Sequence, residues 1–330
     1  MPAPPRSSPA VSVRGLERAF KGGITAVDGL DLEVPEGEIY GFLGPNGAGK
    51  TTTVRILVTL LKPTAGEARV AGYDVVTEAD AVRRTIGVAL QEAAIDPLMT
   101  GRELLLMQGA LHGMRGGQAR KRATELLDRV GLTDASGRRV GQYSGGMRRR
   151  LDLAMALVHR PKVLFLDEPT TGLDPTSRSA LWREVRGLND DGTTVFLTTQ
   201  YLEEAEQLAD RVGIIAGGSL VAEGTPAELK ARVGEPTLHV DLAADADVAA
   251  ARRALSAVGP LVDCADDTRV AIRAARGKAT VPLAIRALDD AGIAVESVEV
   301  ESPTLDDVFA AVTGSTLEGA GRGSSAEGQA

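Results

Sequence analysis

The chain has 330 residues, 43% of them hydrophobic, enough to bury one full α/β core and a second, smaller one. A formal charge of -8 with no long Lys/Arg tract excludes the basic footprint by which proteins grip nucleic acid through its phosphates, so no nucleic-acid partner is expected. Its one cysteine, Cys264, cannot close an internal disulfide, residues 1–10 are Pro- and Ser-rich without an apolar signal core, and no run reaches the length of a spanning helix.

After an N-terminus expected to be disordered (1–10), Val11 to Arg14 and Leu30 to Val34 alternate like strands. The apolar run Ile39-Tyr40-Gly41-Phe42-Leu43 reads as a buried strand, and it leads directly into Gly44-Pro45-Asn46-Gly47-Ala48-Gly49-Lys50-Thr51, which fits the phosphate-loop pattern GxxxxGK[ST]. Glycines there let backbone N–H groups turn inward around phosphate oxygens, while the helix that starts near Gly49 points its positive end at them. Lys50 then reaches the β- and γ-phosphates, and the Thr51 hydroxyl, followed by Thr52, lies where a bridging magnesium ion needs an oxygen. ATP and Mg2+ are the expected cofactors. The helix is expected to run to about Leu61, with Pro63 closing it.

A helical block begins near Pro97. Glu103 to Met107 and Ala123 to Leu127 carry apolar residues at helical spacing on either side of the flexible Gly113 to Gly117 stretch, and a helical subdomain is placed at about 97–160. Within it, Tyr143-Ser144-Gly145-Gly146-Met147 is a Ser-Gly-Gly turn opening a helix, a second place where amides, a hydroxyl and a dipole converge on an anion. Arg148, Arg149 and Arg150 cannot all face one way on a single turn; they read as a solvated face with local pairs and no chemistry. His112, His159 and His239 lack ligand spacing and read as ordinary structural residues.

Strand and helix alternation then resumes, with Lys162 to Leu166, Thr194 to Thr198 and Val212 to Ile215 as buried strands of a largely parallel sheet. Val163 to Leu166 end in Asp167 and Glu168, so a buried strand delivers two carboxylates to the sheet edge that carries the phosphate loop. Asp167 is placed to hold magnesium, and Glu168 to act as general base on the water that attacks the γ-phosphate.

Gly234-Glu235-Pro236 looks like a boundary. Beyond it the order strand, helix, two short strands, helix, strand is the split βαβ, ferredoxin-like arrangement over 234–313, including a last short helix from Leu305 to Val312. From Gly314 onward the Gly/Ser/Ala composition cannot bury a core, so 314–330 is expected to be a disordered tail.

The ordered set of motifs over 11–233 resembles the ABC ATPases, whose LSGGQ signature corresponds to Tyr143 through Met147. The resemblance places Gln91 at the Q-loop, where it would contact magnesium or the attacking water. It puts Gly172-Leu173-Asp174-Pro175 at the D-loop and Phe20 at the aromatic A-loop, stacked on adenine. It implies a P-loop NTPase fold and a homodimer in which ATP lies between one chain's phosphate loop and its partner's Ser144, Gly145 and Gly146. In the position where the family usually has a switch His this chain has Gln200, whose amide can donate to the γ-phosphate but cannot exchange a proton near neutral pH.

That Gln, the segment Tyr143 to Asp152, the accessory domain and the closing Ser302 to Phe309 together resemble the daunorubicin-resistance (DrrA-like) subfamily. The resemblance implies an ATP-hydrolysing subunit of an efflux transporter, held at the inner face of the cell membrane by a separate integral permease that expels a hydrophobic drug or antibiotic. The alternatives are a soluble ABC ATPase acting on nucleic acid or ribosomes, for which neither a long coiled-coil insertion nor a second cassette is present, and the ATPase of a lipid or polysaccharide exporter.

Overall fold

The computed structural model describes residues 9–90, 95–243, 246–264 and 268–314. It divides into two compact units, one running to Pro226 and one beginning at Ala227. The expected disorder of 1–8 and 315–330 concerns residues outside this set, whereas Ala10, assigned to the loose start, is buried and its carbonyl accepts from the Ala71 amide at 2.7 Å.

The first unit opens with β1 (Val11–Phe20) and β2 (Ile24–Val34), an antiparallel hairpin longer than the two short strands expected. Next come β3 (Ile39–Leu43) and α1 (Lys50–Leu57). The helix stops four residues short of the expected Leu61, because Thr59 turns left-handed (φ 67) and the amides of Leu60 and Leu61 both fold back onto the Arg55 carbonyl. Strands β4 (Ala65–Val70) and β5 (Tyr73–Asp74), helix α2 (Ala79–Thr85) and strand β6 (Ile86–Ala89) follow, none of them anticipated.

The helical block contains α3 (Gly101–Leu111), α4 (Gly116–Arg129) and α5 (Gly145–Ala156). Thr100 starts α3 with a capping box, its hydroxyl accepting from the Glu103 amide while the Glu103 carboxylate takes the Thr100 amide. The chain then runs through β7 (Val163–Asp167), α6 (Pro175–Asp190), β8 (Thr194–Thr199), α7 (Leu202–Leu208), β9 (Arg211–Ala216) and β10 (Ser219–Gly224).

A six-stranded sheet in the order β10-β9-β3-β8-β7-β6 forms the centre, parallel from β9 to β6, with β10 added antiparallel at the edge. Every residue of β3, β7 and β8 is buried, as a parallel strand covered on both faces requires. A smaller antiparallel sheet, β2-β1-β4-β5, packs its apolar positions with α1 into one core, and the helical block supplies another. Phe196 is the hub of the central sheet's aromatic packing, its ring centroid 5.5 Å from those of Tyr40 and Phe165 and 5.6 Å from that of Phe42.

The second unit holds α8 (Pro226–Val233), β11 (Thr237–Leu242), α9 (Val248–Ser256), β12 (Leu261–Val262), β13 (Arg269–Arg273), α10 (Val281–Asp290), β14 (Val295–Glu301) and α11 (Leu305–Thr313). Its sheet order, β12-β13-β11-β14 with every neighbour antiparallel, is the ferredoxin-like arrangement read from the sequence. Leu238, Val240, Val270 and Ile272 face Leu255 and Leu288 in one small core.

Truncating Phe196 removes three ring contacts at once from a site that cannot collapse. Phe196→Ala is expected to cost about 3–5 kcal/mol of stability. The fluorescence of Trp182, the only tryptophan, reports on the same unit in a denaturant titration; an unchanged midpoint there would contradict this account of the core.

Candidate functional site

The loop between β3 and α1 is shaped by contacts that leave no room for side chains. A Cβ on Gly44 would lie 2.5 Å from the Ile215 carbonyl, and one on Gly49 would lie 2.2 Å from that of Ala26. Gly47 and Gly49 have φ values of 80 and 108, a region open to glycine at little cost. The loop therefore wraps tightly between β9 and β2, and α1 begins without a side-chain cap on its first amides, which leaves those donors for an anion.

Lys50 lies back over this loop, its Nζ donating to the carbonyls of Gly44 (2.7 Å) and Pro45 (3.0 Å) and standing 3.5 Å from Glu168 Oε1. It is 4% exposed, and burial pushes its ammonium below the ordinary lysine range against the opposing pull of Glu168 and Asp167. A buried cation of this kind gains from any further anion that enters the loop.

The two carboxylates arrive as expected at the end of β7, and they diverge. Asp167 Oδ1 accepts from Thr51 Oγ1 (3.2 Å) and Thr198 Oγ1 (2.6 Å), which ties the strand end to the first turn of α1. Glu168 sits at φ 48, left-handed for a residue with a Cβ, and its amide reaches the carbonyl and the hydroxyl of Thr198, each at 3.1 Å. Thr171 Oγ1 donates to its Oε2 at 3.4 Å. The hydroxyl of Thr51 beside one carboxylate suits magnesium, which takes few protein oxygens and leaves its other positions to phosphate and water. No cluster of three or more His, Cys, Asp or Glu with metal-ligand geometry exists among the described residues.

The switch segment joins the same edge, since the Gly44 amide donates to the Thr199 carbonyl at 3.2 Å and Gln200 is the next residue, half-buried ahead of α7. Phe20 closes β1, paired with Ile24, two residues before the Ala26 that touches the loop; it is 39% exposed with the Arg18 guanidinium 4.7 Å over its ring. Gln91 lies outside the described residues.

Ser144, Gly145 and Gly146 form a separate cluster with Asp174. Ser144 caps α5, its Oγ accepting from the Met147 amide at 3.2 Å, and Ser144 and Gly145 are exposed. Asp174 caps α6 by accepting from the amide (2.9 Å) and hydroxyl (2.6 Å) of Ser177, bonds that hold its carboxyl below the usual range. A Cβ on Gly146 would meet Ser177 Oγ at 2.6 Å, so the two caps are packed together. Among the described residues no hydrogen bond or ion pair links Ser144, Gly145 or Gly146 to the phosphate loop.

A sequence profile of the ABC transporter family matches residues 27–171, and one for the C-terminal domain of DrrA1-3-like ATP-binding proteins matches 224–313. The chain is 50% identical to the daunorubicin resistance ATP-binding protein DrrA3 of Streptomyces coeruleorubidus over 92% of its own length and 96% of that protein. The chain belongs to the ABC transporter ATP-binding family, in its DrrA-like branch. It is also 49% identical to the daunorubicin/doxorubicin resistance protein DrrA of Streptomyces peucetius, with 92% of each chain covered, and 36% identical to the linearmycin resistance protein LnrL of Bacillus subtilis, over 93% and 99%. Among solved structures it matches the dimeric ATP-binding cassette MJ0796 bound to ADP and phosphate, at TM-score 0.61 and 29% identity, covering 65% of this chain and 98% of that one.

An ABC ATP-binding subunit hydrolyses ATP in support of transport, and here the geometry adds two features that sequence reasoning missed. The first corrects the arginine triplet. Arg148 is exposed and Arg150 donates to the Val130 carbonyl, as a local pair should, but Arg149 points inward and is largely buried. Its Nε donates to the Pro169 carbonyl (2.9 Å), Nη1 to that of Leu90 (2.7 Å) and Nη2 to that of Asp167 (2.8 Å), and Nη1 lies 3.3 Å from Asp152 Oδ2. The signal available was faint: one arginine of three at helical phase with the apolar Leu153 and Ala156.

The second is that His112 and His159, read as ordinary structural residues, stack with ring centroids 3.9 Å apart, and His159 Nε2 donates to the Ile86 carbonyl at 2.8 Å. Burial lowers both imidazoles, and His112 lowers that of His159 further. They line a groove of about 470 Å³ together with Leu60, Leu90, Asp152 and Met155. None of its lining residues belongs to the phosphate loop, the Asp167-Glu168 pair or the Ser144 to Gly146 turn.

Burial outweighs the attraction of Arg149 and pushes the Asp152 carboxyl up to about 6 from an ordinary 3.8. A carboxyl raised on folding makes the folded state relatively more stable below pH 3.8, and that advantage is lost as pH climbs from there through about 6. Asp152→Asn should remove this slope. Measured against the unsubstituted chain, the variant is expected to gain on the order of 1–3 kcal/mol between pH 4 and pH 7, followed by denaturant titration at each pH; a constant difference across that range would refute the assignment.

Proposed function

We propose that this chain is the ATPase of a drug or antibiotic exporter. It works as a homodimer of ATPase subunits attached to the inner face of the membrane through a separate integral permease. The reading is supported by identity of about half the residues to daunorubicin-resistance ATP-binding proteins over nearly the whole chain, the accessory domain included. No helix among the described residues is long and apolar enough to cross a membrane. An ATPase domain over 11–233 with a helical subdomain at about 97–160, followed by an accessory domain over 234–313, belongs to the same proposal.

In this reading the amides of Gly44 to Thr52 and the Lys50 ammonium bind the β- and γ-phosphates, and Phe20 stacks on adenine. Thr51 and Asp167 would hold Mg2+, with Gln91 as a further contact, and the ion supplies neutralisation of phosphate charge when bound. Glu168 Oε1, now beside Lys50, accepts the proton of the attacking water, and the Gln200 amide donates to a γ-phosphate oxygen. Ser144, Gly145, Gly146 and Asp174 serve the ATP of the partner subunit. The exposure of Ser144 and Gly145, with no bond to the phosphate loop among the described residues, supports a composite site completed across two copies.

Closure of the pair is driven by differential binding, since only ATP offers γ-phosphate contacts. Glu168→Gln is therefore expected to retain ATP binding, to lose hydrolysis by a factor on the order of 10²–10⁴, and to elute as an ATP-dependent dimer on a sizing column; a strictly monomeric variant with ATP would contradict the composite site. Gln200→Ala should slow turnover by weakening γ-phosphate positioning while Gln200→His retains it, and equal rates for all three forms would remove Gln200 from the reaction. Export itself is read by drug accumulation in cells that express the chain with and without its permease.

A further inference from the structure

Glu168 adopts a left-handed backbone (φ 48) although it carries a side chain, and such a conformation persists only where surrounding bonds over-determine it. Its own amide is taken by Thr198. The carbonyls on either side of it, those of Asp167 and Pro169, both accept from one guanidinium, that of Arg149, through different nitrogens at 2.8 and 2.9 Å. We propose that Arg149 is a positioning residue for ATP hydrolysis, a bracket from the second turn of the signature helix that fixes the backbone around Glu168 and so aims its carboxylate.

The planar fork of arginine is what the arrangement needs. Nε and Nη2 lie on one edge of the guanidinium, and each meets one of the two flanking carbonyls, so the Asp167–Glu168 and Pro169–Thr170 peptide units, which bracket Glu168, are held in one orientation. A lysine keeps the charge but has a single nitrogen and cannot set both carbonyls at once. The third bond, from Nη1 to the Leu90 carbonyl, ties the same guanidinium to the residue preceding Gln91. One side chain thus holds the signature helix, the end of β7 and the start of the Q-loop segment in fixed register. A residue that merely filled space would have no reason to flank the strained position on both sides.

This inference rests on the reading of Glu168 as the base, and the test separates the two. Arg149→Lys and Arg149→Gln are made in the full chain, each with Glu168 intact and with Glu168→Gln, and ATP hydrolysis with Mg2+ is followed in single-turnover and steady-state modes. With Glu168 intact, kcat is expected to fall about 100-fold, as for a misplaced catalytic group, in both variants. KM for ATP should stay within about twofold. In the Glu168→Gln background the same substitutions should cost less than about threefold more, because there is no carboxylate left to misplace. The Lys variant keeps a cation in the pocket, so it carries the test if the Gln variant does not fold, as judged by its melting temperature. Full kcat in Arg149→Lys, or a loss of equal factor in both backgrounds, would overturn the bracket. Wild-type hydrolysis by Glu168→Gln alone would instead overturn the assignment of the base.

Discussion

Glu168 follows a five-residue strand whose every side chain is buried, and at that point the backbone leaves the β region for a left-handed turn that costs about 1–3 kcal/mol. Much else in the first unit maintains that turn. The parallel pairing of β7 with β8 brings Thr198 level with Asp167, so its hydroxyl serves two masters, donating to the Asp167 carboxylate and accepting from the Glu168 amide. Adjacent acids that strand alternation would put on opposite faces thereby both reach the phosphate loop, one at Thr51 and one at Lys50. The aromatic packing around Phe196, two residues before Thr198, fixes the strand that carries this hydroxyl.

The Lys50–Glu168 contact follows from the same geometry. An ammonium lowered by burial and a carboxylate 3.5 Å away satisfy one another within the loop, with two backbone carbonyls completing the lysine's shell. A triphosphate entering the loop would compete for the lysine, and the carboxylate it released would be free to meet a water. In the proposed reading, binding and the readiness of the base are linked by one shared cation.

The features readable from sequence were those in which local pattern and final role coincide. Ile39 to Leu43 and Val163 to Asp167 are apolar runs because both faces are covered, and the phosphate loop announces itself through glycines that the fold requires at named contacts. The ferredoxin-like order of the second unit was readable because its turns and alternation are regular. In contrast, β4 carries only Ala68 and Val70 as buried residues and includes Gly66, so it offers almost no periodic signal; it is a strand because β1 pairs with it, a tertiary decision. Arg149 was hidden for a related reason. Its neighbours Arg148 and Arg150 made the triplet look like a solvated face, and only the carbonyls of Leu90, Asp167 and Pro169, distant in sequence, reveal which of the three turns inward.

The two glycines of the signature turn answer different constraints, and the difference bears on how two copies would meet. Gly146 is dictated within the chain, since a Cβ there would push on Ser177 and disturb the pair of bonds by which Ser177 holds Asp174. A Cβ on Gly145 would find nothing within 4 Å in its own chain. No contact among the described residues demands bareness at 145, and an open position there suits the approach of a phosphate to the amides at the start of α5. Because Gly146 packs against the residue that anchors Asp174, a shift of the signature helix on meeting a partner's nucleotide would be felt at once by the D-loop. The bracket of Arg149, one turn further along the same helix, would carry that shift to the backbone of Glu168 in the chain's own site. In the proposed dimer, the signature helix is thus the element that links the occupancy of one composite site to the base of the other.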